Sequence, residues 1–374
     1  MVSGKSMRVL FDEQIFSNQR FGGISRYYSE LVKAMEANQV VSAKLLSPLC
    51  TNHHAREVPK TCRVGIPFPE IKCVEKYVRY VNKKFAARFI DYFKPDILHQ
   101  TYYPYRDTPR RSNLRIVTTV YDMIHELFPL DFEDSYQISR LKLRAVRRAD
   151  LVICISENTR KDLIDLTGID HDKTVVIHLG VDHMQNLPLE TPANSSRPFL
   201  LYVGLRDTYK NFERVLKAYA KSPELKSHFD LVCFGGGALS QKEKNLITKL
   251  KIPDNKIIMT GGADSVLAGL YRRASAFLYP SLYEGFGIPP LEAMVHGCPV
   301  ISSQSSSLPE VLGGAAEYFN PGDSDDLINA ITRVVFNQER AEELTRLGSA
   351  HVQMYTWQRC ADQTLLAYQG ILKI

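Results

Sequence analysis

The sequence predicts an α/β protein of two domains, each built on a doubly wound parallel β-sheet. The chain has 374 residues, which is more than one ordinary hydrophobic core requires. Short apolar runs alternate with helical segments, as expected when helices connect buried parallel strands. This alternation stops at a polar, proline-containing stretch at residues 186–198, which is predicted to be a linker, and then restarts.

The first half of the chain contains short apolar runs that are typical of strands buried on both faces. Because ligands of doubly wound sheets bind at the carboxyl ends of the strands, the residues that follow these runs are candidates for a binding site. The predicted strands are residues 8–11, 40–46, 96–100, 115–121, 151–156 and 174–179, and the predicted helices are residues 23–37 and 158–166.

The second half repeats the same alternation and predicts a second sheet of the same kind. The predicted strands are residues 199–203, 230–234, 256–259, 276–279, 299–302 and 316–319. The predicted helices are residues 211–220, 242–250, 266–272, 290–296 and 325–347, followed by a final amphipathic segment at 356–372.

The composition is that of a globular protein and argues against several functional classes. Hydrophobic residues make up 44% of the chain and charged residues 24%, without the bias of disordered sequences. The net charge of +6 is modest, and no nucleic-acid motif accompanies it. The seven cysteines lack paired spacing, which predicts reduced thiols. Without an apolar run of membrane-spanning length or a secretory leader, a cytoplasmic protein is expected.

Residues 284–292 (EGFGIPPLE) are the most informative segment, because they follow an apolar strand and lead into a helix that starts with prolines. The free N–H groups of that first turn, around Gly287 and Ile288, are predicted to bind a phosphate. Glu284 and Glu292 lie on either side of the turn. A nucleotide-sugar carries hydroxyl groups on both sides of a diphosphate and would reach both. Alternatively, both glutamates are solvated residues favoured by the helix dipole.

Two cations follow the first strand of the second half. Arg206 and Lys210 lie in the loop before a helix that is predicted to begin near Asn211. A guanidinium binds phosphate in a bidentate manner and an ammonium acts as a point charge, so the pair suits a diphosphate. The alternative is two solvated surface cations.

Residues 284–292 resemble the donor site of retaining family-4 glycosyltransferases of the GT-B fold, through the spacing E-x(7)-E around G-F-G-x-P. The resemblance covers nearly the whole chain. It implies an acceptor-binding domain at residues 1–185 and a donor-binding domain at residues 198–355, facing a cleft. It also implies that a final helix within residues 356–374 packs back onto the first domain.

The resemblance implies roles for the charged residues of the second half. Glu292 would accept hydrogen bonds from the ribose hydroxyl groups, and Glu284 would face the donor hexose. Arg206 and Lys210 would bind the diphosphate and stabilise the charge that develops on it as the sugar leaves.

In the first half, the family's glycine loop implies that Gly22 and Gly23 lie beside the diphosphate and the acceptor. Many members carry His-Asp where this chain has Tyr121 and Asp122, and the family histidine lies near the donor sugar. A histidine occurs four residues later in this chain. Either His125 or Tyr121 is therefore expected to take the role of the family histidine.

The function implied is transfer of a hexose, with mannose as a candidate, from a GDP- or UDP-linked sugar to a saccharide or lipid-linked acceptor. Retention of the anomeric configuration and a setting in O-antigen, capsule or lipopolysaccharide assembly are implied as well. Two D-x-D matches, at residues 170–172 and 323–325, do not follow a strand of the predicted site. We therefore predict no catalytic metal and no cofactor other than the donor substrate.

Three other functions fit parts of the same pattern. A nucleotide-sugar 2-epimerase shares the two-sheet architecture and would convert the donor without an acceptor. A nicotinamide oxidoreductase would need a G-x-G-x-x-G string followed by an acidic residue, which the glycine clusters here do not provide. A sensor would bind the nucleotide-sugar without turnover.

A basic helical segment adds a possible membrane contact. Its apolar side chains recur at helical spacing, and lysine and arginine occupy most other positions. Such a helix either rests on anionic lipid near a lipid-linked acceptor or packs its apolar stripe on the first domain. The apolar residues are Val74, Tyr77, Val78, Val81, Phe85 and Phe89, and the basic residues are Lys72, Lys76, Arg79, Lys83, Lys84 and Arg88.

Overall fold

The structure is a computed structural model that describes residues 6–36, 38, 40–69, 71, 74–105, 107–109, 111–185, 197–206 and 208–372. Predictions that fell on residues 37, 72, 186–196 and 373–374 lie outside this range. The chain forms two compact units. Unit 1 comprises Met1–Glu126, Asp134–Gly180 and Trp357–Ile374, and unit 2 comprises Leu127–Glu133 and Val181–Thr356.

Within the described residues of unit 1, seven strands form one parallel sheet: β1 (Met7–Phe11), β2 (Val41–Cys50), β3 (Arg63–Pro67), β4 (Ile97–Gln100), β5 (Arg115–Val120), β6 (Leu151–Cys154) and β7 (Thr174–Val176). The strand order is β3-β2-β1-β4-β5-β6-β7. The order reverses between β1 and β4, so the loops that follow these two strands diverge and leave a crevice.

The helices of unit 1 are α1 (Gln14–Asn18), α2 (Gly23–Glu36), α3 (His53–Glu57), α4 (Glu75–Phe93), α5 (Ile124–Leu127, whose last residue falls in unit 2), α6 (Ser135–Arg148), α7 (Glu157–Thr167) and the C-terminal α16 (Trp357–Leu372). The sequence pattern did not predict β3 or the helices α1, α3, α5 and α6. β3 is an edge strand with a glycine and a proline, and two of its five residues are exposed, so it lacks the apolar run that marks a central strand.

In the part of unit 2 that the structure describes, six strands form a second parallel sheet: β8 (Phe199–Val203), β9 (Asp230–Phe234), β10 (Ile257–Thr260), β11 (Ala276–Tyr279), β12 (Val300–Ser303) and β13 (Glu317–Phe319). The order β10-β9-β8-β11-β12-β13 reverses between β8 and β11. The predicted fold class, two doubly wound parallel sheets, is thus confirmed.

The helices of unit 2 are α8 (Phe212–Lys221), α9 (Pro223–His228), α10 (Gln241–Lys249), α11 (Asp264–Arg273), α12 (Ile288–Val295), α13 (Leu308–Leu312), α14 (Ser324–Val335) and α15 (Gln338–His351). The single helix predicted at residues 325–347 is wrong, because α14 and α15 are separate. Asn337 begins the second helix, and its side chain accepts a hydrogen bond from the Arg340 amide at 3.1 Å. Asparagine is among the strongest N-cap residues, so the break had a signal in the sequence.

A buried polar network ties α16 to the sheet of unit 1. His99, at the end of β4, is fully buried, and its Nδ1 lies 2.6 Å from the hydroxyl group of Tyr368 on α16. Its Nε2 lies 2.8 Å from Thr119 Oγ1 and 3.4 Å from the hydroxyl group of Tyr28. Burial lowers the pKa of His99 to about 3, because the charged imidazolium would lose its hydration.

The lowered pKa of His99 predicts that acid destabilises the chain. Between pH 6.5 and about 3 the unfolded chain binds a proton at His99 that the folded chain excludes. This contribution to stability is therefore present above pH 6.5 and is lost as the pH falls, by up to about 1.4 kcal/mol per pH unit. We expect the free energy of unfolding, measured in urea between pH 7 and 5, to fall more steeply for the wild type than for His99→Gln. Equal slopes would contradict this assignment, whatever the absolute stability of the variant.

Candidate active site

An ion pair joins two loops at the switch point of the sheet in unit 2. Lys210 follows β8 and Glu284 follows β11, and their Nζ and Oε1 atoms lie 2.7 Å apart. Their side chains are only 19% and 13% exposed. The sequence analysis had placed both residues at a diphosphate and its sugar, and the neighbouring positions of β8 and β11 explain why they meet.

Asn211 fixes the backbone next to Lys210. It adopts a left-handed conformation with φ of 56°, and its Nδ2 donates to the carbonyl oxygens of Pro280 at 3.1 Å and Pro321 at 3.0 Å. The side chain therefore links the end of β11 to the loop that follows β13. This explains why the residue after Lys210 is an asparagine, which tolerates positive φ better than most residues.

Serine side chains hold the loop that carries Glu284. The Glu284 amide donates to Ser306 Oγ at 2.8 Å. The hydroxyl group of Ser307 donates to the carbonyl oxygens of Glu284 at 2.8 Å and Phe286 at 3.0 Å. The sequence analysis did not single out these serines, which orient the loop of Glu284.

Gly287 is the residue on which α12 begins. Its φ is 114°, and a Cβ atom built there would lie 2.8 Å from Leu308 Cδ2, so a larger residue would be both strained and crowded. No side chain caps the helix. Because Pro289 and Pro290 lack N–H groups, Ile288 alone among the first three helical residues offers a backbone donor. The predicted anion site at this helix end therefore has fewer amides than an ordinary helix start.

Glu292 lies one turn further along α12 and is 7% exposed. The hydroxyl group of Tyr271 donates to its Oε2 at 3.4 Å. The ring of His296 stacks on Tyr271, with centroids 6.0 Å apart, and burial lowers the pKa of His296 although Glu292 opposes this shift. The carboxylate thus lies in a largely buried setting, where hydrogen bonds to a ligand's hydroxyl groups are strong.

Arg206 makes contacts that its sequence pattern did not suggest. Its Nε donates to Glu243 Oε1 at 2.6 Å, and its two Nη atoms donate to the carbonyl oxygens of residues 235–238 at 2.9–3.2 Å. The side chain is 5% exposed. Although burial acts in the opposite direction, hydrogen bonds from Ser240 and Arg206 lower the pKa of Glu243. Arg206 is therefore held among protein oxygens, and its contact with a diphosphate stays a prediction.

The loop around Arg206 depends on three consecutive glycines. Gly235, Gly236 and Gly237 have φ values of 82°, 69° and 70°, which turn their carbonyl groups toward one guanidinium. A Cβ atom at Gly236 would lie 2.5 Å from Arg206 Nη1 and 2.8 Å from the carbonyl oxygen of Gly204. The guanidinium can thus approach this closely because Gly236 has no side chain.

In unit 1, Gly22 and Gly23 lie at the start of α2, after β1 and α1. A Cβ atom at Gly22 would lie 2.5 Å from Gln19 Oε1, whereas nothing lies within 4 Å of one built at Gly23. The carbonyl oxygen of Gly22 accepts from the Arg26 amide at 3.0 Å and from the Ser25 hydroxyl at 2.9 Å. The turn is therefore internally bonded, and Gly23 presents open space.

The two candidates for the place of the family histidine have different surroundings. Tyr121 is 8% exposed, and its hydroxyl group donates to the hydroxyl group of Tyr28 at 2.7 Å, so it belongs to the core. His125 is on α5 and only partly buried. Partial burial lowers the pKa of His125, an effect that the Asp122 carboxylate opposes. Asp122 Oδ1 accepts a hydrogen bond from the amide of Ile124, the first residue of α5, at 3.1 Å. Of the two, His125 has the more accessible ring.

Both D-x-D matches are helix starts. Asp170 Oδ1 accepts from the Asp172 amide at 3.0 Å, and Asp323 Oδ1 accepts from the Asp325 amide at 2.8 Å. Over the described ranges, no group of three or more histidine, cysteine, aspartate or glutamate side chains is arranged to hold a metal ion.

Two family models match consecutive parts of the chain. The model described as Glycosyltransferase Family 4 matches residues 21–185, and the model described as Glycosyl transferases group 1 matches residues 185–350. Together they cover residues 21–350, which include most of both units.

Curated relatives are similar over part of their length. The chain is 28% identical to the serotype-specific mannosyltransferase WbdA of Escherichia coli, over 67% of this chain and 33% of that protein. It is 31% identical to the O-antigen chain mannosyltransferase B of Escherichia coli, over 59% of this chain and 61% of that protein. The chain thus spans about a third of the first relative and less than two thirds of the second.

Solved structures resemble the fold over nearly the whole chain. A sucrose-phosphate synthase from Thermosynechococcus elongatus gives a TM-score of 0.76 at 19% identity, covering 99% of this chain and 100% of that one. Anabaena HepE in complex with UDP and glucose gives 0.71 at 16% identity, covering 97% and 99%. The two matched models and the shared two-sheet architecture show that this chain belongs to the group 1, family-4 glycosyltransferases and has the GT-B fold.

Proposed function

We propose that the chain is a retaining glycosyltransferase that moves a hexose from a nucleotide diphosphate-sugar to a saccharide or lipid-linked acceptor. The observation that carries this proposal is the Lys210–Glu284 ion pair at the switch point of unit 2. It follows β8 and β11, and the Glu284 loop leads directly into the uncapped start of α12.

Lys210 and the Ile288 amide are proposed to bind the donor diphosphate. The bond between the sugar and the phosphate breaks during transfer, and negative charge builds up on the departing diphosphate. A cation and an N–H group fixed beforehand stabilise that charge without reorganising, which is where such a catalyst gains most. No metal ion is needed for this step in our proposal, and the donor substrate takes the place of a cofactor.

The two glutamates are proposed to hold the sugar and the ribose. When a diphosphate takes over the Lys210 ammonium group, Glu284 becomes available to a hydroxyl group of the hexose. Glu292, one turn along α12 from Ile288, accepts hydrogen bonds from the ribose. A direct contact between Arg206 and the diphosphate would require the guanidinium to exchange Glu243 for phosphate oxygens, because its Nε atom is bonded to that carboxylate.

The acceptor is proposed to bind in the domain of residues 1–185 and the donor in the domain of residues 198–355. Gly22 and Gly23 are proposed to lie beside the diphosphate and the acceptor, and His125 is proposed to take the role of the family histidine. Two relatives are named as mannosyltransferases, and one of these names includes the O-antigen chain. Mannose transfer in O-antigen or related lipopolysaccharide assembly is therefore our choice. GDP is a candidate nucleotide from the sequence analysis. UDP is a second candidate, because the HepE structure contains UDP.

Removing either member of the ion pair should abolish most turnover. We expect Lys210→Met and Glu284→Gln, assayed well below their melting temperatures, to lower kcat for transfer from GDP-mannose or a UDP-hexose by roughly a hundredfold or more. Lys217→Met is the matched control, because Lys217 is on α8, is 45% exposed and forms an ion pair with Glu213 on the same helix. If both site variants transfer sugar at the wild-type rate, the assignment of the donor site is wrong.

A thermal-shift panel identifies the nucleotide. A ligand that binds only the folded chain raises the melting temperature, and a concentration a hundred times Kd adds about 2.7 kcal/mol to stability. We expect GDP or UDP to produce this shift and ADP to produce none. Incubation of the enzyme with the stabilising nucleotide-sugar alone then distinguishes the epimerase alternative. An epimerase converts the sugar without an acceptor, and that result would replace our proposal.

Helix α4 supports a peripheral contact with the cytoplasmic face of the membrane. Among the described helices, none combines the length and apolarity needed to cross a bilayer. The stripe of α4 that faces the core includes Val78 and Ile90, so part of the predicted apolar stripe packs on the sheet.

The exposed side of α4 carries aromatic rings. Tyr77 and Tyr80 are 65% and 59% exposed, and Phe85 is 44% exposed. Five lysine and arginine residues of the helix are exposed as well: Lys76, Arg79, Lys83, Lys84 and Arg88. Exposed aromatic rings beside cations suit an anionic lipid surface.

Reversing charges on α4 should release the chain from anionic vesicles. Each lysine near such a surface contributes about 1 kcal/mol, so we expect Lys83→Glu with Lys84→Glu to weaken binding to phosphatidylglycerol vesicles at least thirtyfold, that is, by about 2 kcal/mol or more. The control carries the same charge change at Lys244 and Lys249, which are exposed on α10. Cosedimentation measures both. Equal binding by the two variants would argue against α4 as the contact.

A further inference from the structure

A short segment between α5 and α6 belongs to unit 2, although the chain on both sides of it belongs to unit 1. This segment is Leu127–Glu133. The ring of Phe128 lies 6.4 Å from that of Tyr209 and 6.1 Å from that of Tyr283, and the ring of Phe132 lies 5.9 Å from that of Tyr209. We call these four residues the aromatic cluster. Ring pairs at such distances and tilts attract each other beyond the effect of burial alone.

The two tyrosines of the aromatic cluster immediately precede the two charged residues of the candidate site. Tyr209 is followed by Lys210, and Tyr283 is followed by Glu284. The loops are also joined directly, because the Leu282 amide donates to the carbonyl oxygen of Tyr209 at 2.7 Å. A displacement of either tyrosine ring would thus move the backbone of a residue in the ion pair.

The Lys210 ammonium group also contacts the aromatic cluster directly. Its Nζ lies 5.1 Å from the centre of the Tyr209 ring and 5.7 Å from that of the Tyr279 ring. The face of an aromatic ring attracts a cation, so the orientation of Tyr209 helps to decide where the ammonium group rests. That orientation is in turn set by Phe128 and Phe132, which pack on Tyr209.

We propose that Phe128 and Phe132 are positioning residues for the Lys210–Glu284 pair. They act through Tyr209 and Tyr283 and do not touch the donor. The proposal rests on the proposed function, in which Lys210 and Glu284 bind the diphosphate and the hexose. It adds that Leu127–Glu133, which the sequence analysis placed in the acceptor-binding domain at residues 1–185, is required for the donor site.

The test compares Phe128→Ala, Phe132→Ala and Phe132→Leu with a control in the same segment. Leu130 is 98% exposed, so Leu130→Ala alters the segment without altering the aromatic cluster. A small misplacement of catalytic groups can cost up to about a hundredfold in rate, and we expect kcat to fall roughly ten- to a hundredfold in the alanine variants. The KM for the donor should change far less. Phe132→Tyr keeps the aromatic ring, so its kcat should be close to that of the wild type.

Melting temperatures separate positioning from packing, and all assays are run well below the lowest of them. A role confined to packing would lower the melting temperature of the alanine variants and of Phe132→Leu but leave kcat of the folded enzyme unchanged, and that result overturns the proposal. So does a kcat for the alanine variants equal to that of Leu130→Ala. If Lys210→Met is inactive in the same assays, the proposed function stands despite this failure. If Lys210→Met is fully active, the proposed function itself has failed.

Discussion

The loops of the candidate site are built to hold the ion pair between Lys210 and Glu284. A largely buried ion pair is seldom a net source of stability, because each charge gives up its hydration. Here both side chains are less than a fifth exposed. Their backbone must therefore be held by other contacts, and the structure supplies these on both sides. Asn211 holds the loop of Lys210 through two carbonyl groups, and Ser306 and Ser307 hold the loop of Glu284.

The neighbouring loop after β9 is likewise held by contacts with residues outside it. Three glycines with positive φ direct their carbonyl groups at Arg206, and Glu243 neutralises the guanidinium while also capping α10. One arginine thereby fixes a run of three glycines that has no side chains of its own. The switch point of unit 2 is thus bordered by loops whose conformations are determined before any ligand binds, which is the condition for electrostatic stabilisation of a transition state.

Much of this arrangement could be predicted from local sequence, and the exceptions have physical causes. Strand positions follow from short apolar runs, and the strand order then brings Lys210 near Glu284. The contacts of Arg206 could not be predicted, because they depend on a loop that lies about thirty residues further along the chain. The edge strand β3 has no apolar run, and the placement of Leu127–Glu133 in unit 2 depends on tertiary contacts. The break at Asn337 had a signal that the long helical periodicity masked.

The burial of the cysteine side chains determines how reactive their thiol groups are. None of the six described cysteines forms a disulfide bond, and all six are buried. Burial raises the pKa of Cys154 and Cys233 to about 12 and that of Cys298 further, so at neutral pH these sulfur atoms are protonated and shielded from water. Because the thiolate is the reactive form, oxidants and alkylating reagents have little to attack at these positions while the chain is folded. A single cysteine introduced at an exposed position would therefore carry a spectroscopic label with little competing reaction at those three thiols.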